Sequence, residues 1–302
     1  MRPPLPALTA AALALLVSAA AWAQDSPVLR KLRDTGVITI GHRASSPPFS
    51  YVDLQLKPVG FTVELCERVV QELRRLPGLA TLEVRNFVVS SATRIPLVAN
   101  GTVDLECGIT TNTAERQKLV AFSYTIFVAE SRLLSLAAAP VRQLEDLAGR
   151  PVVSTIGTTS IQLLQAENKR QQLNMKILGG VDDVESFRIL DSGRALAFAM
   201  DDVLLRSLVA GAPDPARYVV GQQALSVEPY GIGLARDDPV FKGLVDGLLR
   251  RLFDSGEFRG IYRRWFMSPI APRGVNLNLP MSAALDRATR HPTDSADPAQ
   301  YR

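Results

Sequence analysis

The sequence has few residues of the kinds that carry covalent or metal chemistry. Its 302 residues include only two cysteines, Cys66 and Cys107, and two histidines, His42 and His291. These four lie far apart in the chain, so no ligand set has the spacing of a zinc site, and we expect neither a metal ion nor a cofactor. The two cysteines stand in apolar surroundings. They are either buried free thiols or, in an oxidising compartment, the two halves of a disulfide.

A large charge of one sign is also missing. The 34 Lys and Arg residues and 30 Asp and Glu residues leave a net charge of +4, and the basic residues are scattered among acidic ones. Nucleic-acid-binding proteins gather basic residues into runs or patches, so we expect no nucleic acid partner. The 47% of hydrophobic residues suffices for one large core or two modest ones, and the length favours two lobes.

The one long apolar run of the chain lies at its N-terminus. Arg2 precedes small and apolar residues over 7–22, and the sequence Ala-Trp-Ala at 21–23 has the small-x-small form of a cleavage site. A membrane helix is the alternative, but the run is short for one. We therefore predict a signal peptide over residues 1–23 and an exported, soluble remainder in the periplasm. The residue directly after the cleavage site is Gln24 and not a cysteine, so we expect no lipid anchor.

Strand and helix patterns alternate along the rest of the chain, which is typical of α/β lobes with mainly parallel sheets. The predicted strands are at 37–40, 82–88, from 103, 151–156, 175–178, 194–200 and 230–234. The predicted helices are at 65–76, 94–99, 161–172, 184–190, 239–253 and 257–266. From residue 268 the chain is rich in proline and polar residues, and we expect it to lie over a surface or to fray.

The two halves repeat one plan, and each has polar residues at the ends of its strands. We predict a first lobe from residues 24–130 and 232–302, and a second lobe from residues 131–231. No low-complexity linker separates them, so the crossings are expected to be strands that act as a hinge. Two such lobes imply a ligand cleft between them.

The segment 103–116 is the most informative part of the chain, since a short strand leads there into a hydroxyl-rich turn and a helix start. Thr113 can cap that helix, which leaves Arg116 in its first turn beside free backbone N–H groups. A guanidinium, nearby hydroxyls and the positive end of a helix suit a small carboxylate. The pattern therefore favours ligand capture over bond breaking.

Several motifs in one order give the chain a specific resemblance. They are GHRASSPPFS at 41–50, TAER at 113–116, AFSYTIF at 121–127, GTT at 157–159, FAMDD at 198–202 and MDDVLL at 200–205. From about residue 29 onward the chain resembles the family 3 periplasmic solute-binding proteins of amino-acid ABC transporters, and among them the glutamate/aspartate-binding proteins. The resemblance implies a two-lobed Venus-flytrap fold, a free amino acid as ligand, the membrane permease subunits as partner, and a monomer.

The resemblance also implies roles for residues around the ligand's α-carbon. Arg116 would hold the α-carboxylate with backbone N–H groups at Thr159, and Asp201 would take the ammonium with the Thr111 hydroxyl and the Ile109 carbonyl. Alternatives remain open from the residues themselves. Arg116 could be a solvated arginine paired with Glu115 or Asp104. Asp201 could cap the next helix, although Asp202 as the cap would leave Asp201 free.

For the ligand side chain, the resemblance assigns the distal carboxylate to Arg43, Ser91 and Arg94. Two guanidiniums that face one pocket repel each other unless an anion lies between them, which suits an acidic ligand. The alternative places Arg43 on the rim and Arg94 on a helix surface.

The chain departs from the glutamate/aspartate pattern at two positions. Asp183 stands where these proteins have a histidine, and Ile109 stands where they have a serine. An aspartate facing the pocket would repel an acidic side chain, so glutamine, asparagine or another less acidic amino acid is the alternative ligand. A periplasmic cyclohexadienyl-dehydratase-like enzyme, with Asp183 or Glu228 as acid or base, and a sensor ectodomain are alternatives of other classes. The sequence has no nucleophile–histidine pair that would support an enzyme, and we expect the protein to have no enzymatic activity.

Overall fold

The structure is a computed structural model that describes residues 26–302. The predicted signal peptide, residues 1–23, lies outside the described residues. The described chain contains ten α-helices: α1 (Pro27–Thr35), α2 (Phe61–Leu73), α3 (Arg94–Ala99), α4 (Ala114–Gln117), α5 (Thr159–Gln171), α6 (Asp183–Asp191), α7 (Asp202–Ala210), α8 (Pro239–Ser255), α9 (Glu257–Phe266) and α10 (Ala283–Arg290). Within residues 26–302, no helix combines the length and the hydropathy needed to cross a bilayer.

The first sheet has five strands in the order β5-β1-β6-β14-β7. Their bounds are β1 (Val37–His42), β5 (Glu83–Val88), β6 (Leu105–Glu106), β7 (Ala121–Phe122) and β14 (Gly233–Leu234). Strand β1 is parallel to β5 and β6, whereas β14 is antiparallel to β6 and β7. A small sheet of β2 (Ser45–Ser46), β3 (Ser50–Val52) and β4 (Pro58–Val59) follows β1 in the chain.

The second sheet has six strands, ordered β10-β9-β11-β8-β12 with β13 also paired to β8. Their bounds are β8 (Phe127–Leu136), β9 (Pro151–Thr155), β10 (Lys176–Gly180), β11 (Ala197–Asp201), β12 (Tyr218–Val220) and β13 (Ser226–Tyr230). Strand β9 is parallel to β10 and β11, and β8 is antiparallel to its three partners. The expected α/β class is confirmed, with mixed sheets in which three neighbouring strands are parallel.

Helices pack on both sheets through apolar faces that the sequence spacing predicts. Helix α2 buries Leu65, Cys66, Val69, Val70 and Leu73, which recur at intervals of three and four residues. Six of the helices begin at a Ser, Thr or Asp whose side chain accepts an N–H of the first turn: Ser26, Thr113, Thr158, Asp182, Asp238 and Ser282. These caps fix where α5 and α6 begin at the cleft.

Two connections join the sheets and are hydrogen-bonded to each other. The predicted single strand at 230–234 is divided, because Tyr230 ends β13 in the second sheet and Gly233 begins β14 in the first. Between them, Ile232 O accepts from Ser123 N at 3.0 Å, and Tyr230 O accepts from Ile126 N at 2.9 Å. The chain therefore crosses twice between the sheets through paired backbone.

The two cysteines form a disulfide, which decides between the alternatives that the sequence left open. The bond joins Cys66 on α2 to Cys107, the residue after β6, across 41 residues of sequence. It therefore fastens a flanking helix to the middle of the first sheet.

The segment after residue 268 covers the crossing between the sheets and is ordered. Helix α10 is followed by a contact of Thr293 O with Thr125 N at 2.8 Å, and by a hydrogen bond between the hydroxyls of Tyr301 and Thr125, also 2.8 Å. Asp294 O accepts from Asn112 Nδ2 at 2.7 Å. The expectation that this segment lies over a surface is therefore correct, and the alternative that it frays is not.

Candidate functional site

The charged side chains of the candidate site lie where strands of both sheets end. Arg43 follows β1, Glu106 ends β6, and Asp201 ends β11. Helices α5 and α6 begin just beyond β9 and β10. Because parallel strands present their carboxyl ends at one edge of a sheet, each sheet brings its polar residues to a single edge. We call the region between these two edges the cleft.

The two edges are in direct contact. Gly157, in the turn before α5, has φ +83°, and a Cβ there would lie 2.6 Å from the Ala92 Cα and the Ala92 N. Arg116 reaches across the same contact, since its Nη2 donates to Gly157 O at 3.2 Å. The structure is therefore closed around the cleft, and only glycine fits at position 157.

Arg116 is placed by the turn that the sequence singled out. The Thr113 hydroxyl accepts from Arg116 N at 3.2 Å, and Arg116 Nη1 donates to Thr111 O at 2.8 Å. Burial lowers the pKa of Arg116, while the nearby Glu228 and Glu106 raise it. The alternative partners are engaged elsewhere, as Glu115 pairs with Lys118 and Asp104 pairs with Lys31.

Arg43 and Arg94 are both buried, with 3% and 2% of their surface exposed. Arg43 Nη1 donates to Val89 O at 3.3 Å, and Arg94 Nη1 donates to Ile109 O at 2.9 Å. Burial, together with the charges of Arg116 and Arg43, lowers the pKa of Arg94 to about 9. Arg43 is therefore not an exposed rim residue, and Arg94 is not an exposed residue of a helix surface.

Glu106 is a cleft residue that the sequence reasoning did not assign. Its side chain is buried, and its Oε2 accepts from Thr110 Oγ1 at 2.6 Å. Its charge raises the pKa of both Arg94 and Arg116. An acidic residue inside a short buried strand was the available signal, because a buried carboxylate needs a cation or donors nearby.

Asp201 is buried and hydrogen-bonded to the Tyr230 hydroxyl through Oδ2. Burial, with a further contribution from Glu228, raises its pKa well above the usual value. Asp201 occupies the N-cap position of α7 but makes no capping hydrogen bond. Of the two residues considered for the cap, Asp201 therefore holds the position and Asp202 does not, yet the Asp201 side chain is left free of capping. Asp202 is the first residue of α7, and its Oδ1 accepts from Glu130 N at 3.3 Å.

Thr159 and Glu228 meet at the start of α5. Thr159 is the first residue of the helix, and its hydroxyl donates to Glu228 Oε2 at 2.7 Å. The first N–H groups of a helix have no acceptor within that helix, so the backbone there is suited to an anion. From the sequence, Glu228, on β13, stands out only as an acid or base for an enzyme. The structure places it beside Thr159, and its charge acts on Arg116 and Asp201.

Asp183 begins α6 and lies on the second sheet's side of the cleft. It is 3% exposed, and its Oδ1 accepts from Thr155 Oγ1 at 2.7 Å. Its charge contributes to the raised pKa of Asp201. The departure that the sequence noted is therefore a buried carboxylate close to the carboxylate of Asp201.

Buried polar atoms without a partner are concentrated in the cleft. In residues 26–302 there are six such side-chain atoms, and five of them belong to cleft residues: Ser91 Oγ, Arg94 Nε, Glu106 Oε1, Asp183 Oδ2 and Asp201 Oδ1. Buried donors and acceptors are almost always paired in native proteins, so a cluster of exceptions is informative. The cluster combines donors and acceptors that a small polar ligand could satisfy together. The described residues contain no group of metal-ligating side chains.

Comparison with known sequences defines the class of protein that this fold and cleft belong to. The family of bacterial extracellular solute-binding proteins, family 3, matches residues 38–268. The chain is a member of this family, as its sequence motifs indicated.

Individual relatives narrow the class. The chain is 46% identical over 291 residues to the L-glutamate/L-aspartate-binding protein of Pseudomonas aeruginosa, covering 96% of each chain. It is 40% identical over 295 residues to the glutamate/aspartate import solute-binding protein of Escherichia coli, covering 96% of this chain and 98% of that one. Both relatives are binding proteins by name, and the second is an import protein, which confirms the expectation of a binding protein rather than an enzyme.

Solved structures share the fold. A mutant of ArgBP from T. maritima superposes with a TM-score of 0.70 at 27% identity, over 78% of this chain and 97% of that one. The ancestral amino acid-binding protein AncCDT-1, a precursor of cyclohexadienyl dehydratase, superposes with a TM-score of 0.67 at 25% identity, over 79% and 99%.

Proposed function

We propose that this protein captures L-glutamate or L-aspartate in the periplasm and delivers it to the membrane subunits of an ABC importer. The observation that carries the proposal is the division of charge in the cleft. Arginines 43, 94 and 116 come from the first sheet's side, and Asp183 and Asp201 come from the second sheet's side. A molecule with carboxylates at both ends and an ammonium beside one of them matches this division. The names of the two relatives at 40% and 46% identity support it.

The ligand's α-carbon groups lie between the two sheets in this proposal. Arg116 binds the α-carboxylate, because a guanidinium offers two parallel N–H donors to a carboxylate, and the first N–H groups of α5 at Thr159 add donors. Asp201 accepts from the ammonium through its unpartnered Oδ1, with the Thr111 hydroxyl and the Ile109 carbonyl as further acceptors. The ammonium favours the charged form of Asp201 and so offsets the burial that raises its pKa.

The distal carboxylate lies against Arg43, Ser91 and Arg94. Ser91 Oγ and Arg94 Nε are buried without partners, and both can donate to it. An anion between the guanidiniums lowers the cost of holding Arg43 and Arg94 together in a buried place.

Ligand binding closes the two lobes over the amino acid. We assign residues 24–130 and 232–302 to the first lobe and residues 131–231 to the second, with the paired crossings near Ile126 and Gly231 as the hinge. A ligand drives closure only if it binds the closed form better than the open form. Contact of the α-carboxylate with Arg116 on the first lobe and of the ammonium with Asp201 on the second lobe supplies that difference. The protein acts as a monomer and reaches the periplasm through the cleaved segment 1–23.

A less acidic ligand is the second candidate, and Asp183 is the observation that favours it. Its Oδ2 is buried without a partner and can accept an N–H, whereas it repels a carboxylate. Glutamine or asparagine would present an amide at that position.

Isothermal titration calorimetry of the purified mature chain against the twenty standard amino acids tests the proposal. We expect the largest affinity for glutamate or aspartate, with glutamine and asparagine as the next pair. Tight binding of a basic or an aromatic amino acid, with no heat from any of these four, would overturn the assignment of the distal arginines.

A further inference from the structure

A groove between the lobes begins where the proposed amino-acid site ends. Its volume is about 430 Å³, and its walls come from β2, β3 and residues 270–275 on one side and from α6 and α7 on the other. Two residues border both the groove and the cleft. Ser46 lines the groove and its Oγ accepts from Arg43 Nε at 3.5 Å, and Asp183 lines the groove opposite it. The groove therefore borders the end of the cleft that would hold the ligand side chain.

The groove is largely apolar away from this junction. Hydrophobic side chains from both lobes line it, among them Val184, Phe187, Leu204, Leu208, Ile270 and Val275. Removing apolar surface from water is favourable. A glutamate or glutamine side chain ends at the arginines and leaves these side chains uncovered. A longer ligand with an apolar continuation would cover them.

The junction selects the chemistry of the group that passes through it. Asp183 is 3% exposed, and its Oδ2 has no partner among the described residues. A carboxylate oxygen in this position accepts an N–H and repels a second carboxylate. On the opposite side, Arg43 and Arg94 can donate to a carbonyl oxygen, although such a bond is weaker than one to a carboxylate. A secondary amide satisfies both sides, with its oxygen on the arginines and its N–H on Asp183.

Arginine side chains line both walls of the groove, and its acid away from the junction, Asp191, is paired with Arg217. Arg188 lies one helical turn beyond Val184 on α6, is exposed, and has no ion-pair partner within residues 26–302. Arg273 lies on the opposite wall, where its Nη1 donates to Gly211 O at 2.8 Å. A terminal carboxylate emerging from the groove would meet these guanidiniums.

We propose that the site accepts γ-glutamyl dipeptides with an apolar second residue, as well as the free acidic amino acid. This inference rests on the proposed function, because it keeps the glutamyl α-carboxylate on Arg116 and the ammonium on Asp201. The γ-amide oxygen lies on Arg43 and Arg94, and its N–H donates to Asp183. The apolar side chain occupies the groove, and the terminal carboxylate meets Arg188.

Calorimetry with three ligands tests each part of the placement. The ligands are L-glutamate, γ-L-glutamyl-L-leucine and γ-L-glutamylethylamide, which has the amide but no terminal carboxylate. We expect both amides to bind, and the dipeptide to have a Kd no more than tenfold above that of glutamate. The proposal is overturned if glutamate binds and neither amide does, and that result leaves the proposed function intact. If neither glutamate nor aspartate binds, the proposed function itself fails.

Two variants test the groove. Leu208→Trp fills it, so both amides should lose at least tenfold in affinity while glutamate stays within twofold. Leu54→Trp, the same change at a side chain that is 76% exposed and outside the groove, serves as the control. An unchanged affinity of Leu208→Trp for the amides would place them elsewhere and overturn the proposal.

Arg188→Gln should weaken the dipeptide several-fold and leave γ-L-glutamylethylamide unchanged. Arg194→Gln, at an exposed position outside the groove, is its matched control. Equal effects of Arg188→Gln on both amides, or no effect on either, would overturn the placement of the terminal carboxylate.

Discussion

The two sides of the cleft differ in charge, although the two sheets are built on similar plans. The first sheet's side contributes three arginines and one buried acid, Glu106. The second sheet's side contributes Asp183 and Asp201, with Glu228 on the adjoining strand β13. Like charges held together in a buried place cost free energy on each side. A zwitterion between the sides relieves both costs, which a ligand of one charge type cannot do.

The difference in charge between the two sides of the cleft explains why only certain ligands can drive closure. A ligand that contacts only one lobe binds the open and closed forms alike and shifts no equilibrium. A ligand that gives its carboxylates to the arginines and its ammonium to Asp201 binds the closed form better. The predictions below remove or alter one side at a time.

Arg116→Ala should have the largest effect, because it removes the proposed α-carboxylate partner and the arginine that donates to Gly157 across the cleft. Truncating one partner of a buried charged pair costs up to about 5 kcal/mol in binding free energy. We expect no measurable binding of glutamate, aspartate or glutamine by calorimetry. Arg250→Ala, which removes an exposed helix arginine paired with Asp254, is the control and should bind normally. Retained affinity in Arg116→Ala would contradict the assignment.

Replacing Cys66 and Cys107 by serine tests a difference in how the sheets are held together, since the only two cysteines of the chain both lie beside the first sheet. A disulfide across 41 residues stabilises by about 4 kcal/mol in the chain-entropy description. We expect this loss in the free energy of unfolding in urea, with glutamate affinity within a few-fold of normal. A large loss of glutamate affinity under conditions where the variant is fully folded would show that the disulfide shapes the cleft.

Asp201→Asn should weaken all amino-acid ligands by about 3 kcal/mol, because the ammonium loses its charged acceptor. Titration with glutarate, which lacks the ammonium, provides the internal control. The variant should bind glutarate as well as the unaltered protein does or better. A parallel loss for glutamate and glutarate would mean that Asp201 does not contact the ammonium.

The same variant should be more stable than the unaltered protein at neutral pH without ligand. Burial raises the pKa of Asp201 above its value in the unfolded chain, so its contribution to stability is present at acid pH and is lost as pH rises through the folded pKa. Asn cannot ionise, and we expect a gain of about 1–3 kcal/mol at pH 7 that disappears near pH 3–4. Urea unfolding at both pH values measures it. An equal gain in stability at the two pH values would contradict the ionisation of Asp201 as its cause.

Asp183→His should have the smallest effect and should favour glutamate over glutamine. Removing a carboxylate near the distal group relieves a repulsion of about 1 kcal/mol, or several-fold in Kd. Asp183→Asn, which removes only the charge, should give part of the same gain. Equal glutamate affinities in all three proteins would show that Asp183 does not act on the ligand side chain.

The sequence predicts the local elements of the site well where the signals are local. Helix α3 has the predicted bounds of 94–99, and Thr113 caps α4 as expected. Both depend on residues within one helical turn of each other. Asp201 at the end of a buried strand is a signal of the same kind.

Features that depend on distant partners could not be predicted from the sequence. Glu228 looks like an ordinary strand residue until folding sets it near Arg116, from which it is separated by most of the second lobe. Glu106 carries the signal of a buried acid, but the sequence does not say which cations lie near it. The division of 230–234 between two sheets has no local signal, because both pieces are apolar and extended. The pairing of Cys66 with Cys107 likewise depends on α2 packing on β6.

Small-angle X-ray scattering with matched ligands tests the central claim most directly, namely that closure needs contacts from both sides of the cleft. L-glutamate should reduce the radius of gyration of the ligand-free protein. Saturating glutarate, which lacks the ammonium, and γ-aminobutyrate, which lacks the α-carboxylate, should leave it near the ligand-free value. Full compaction by either of these two ligands would contradict the account.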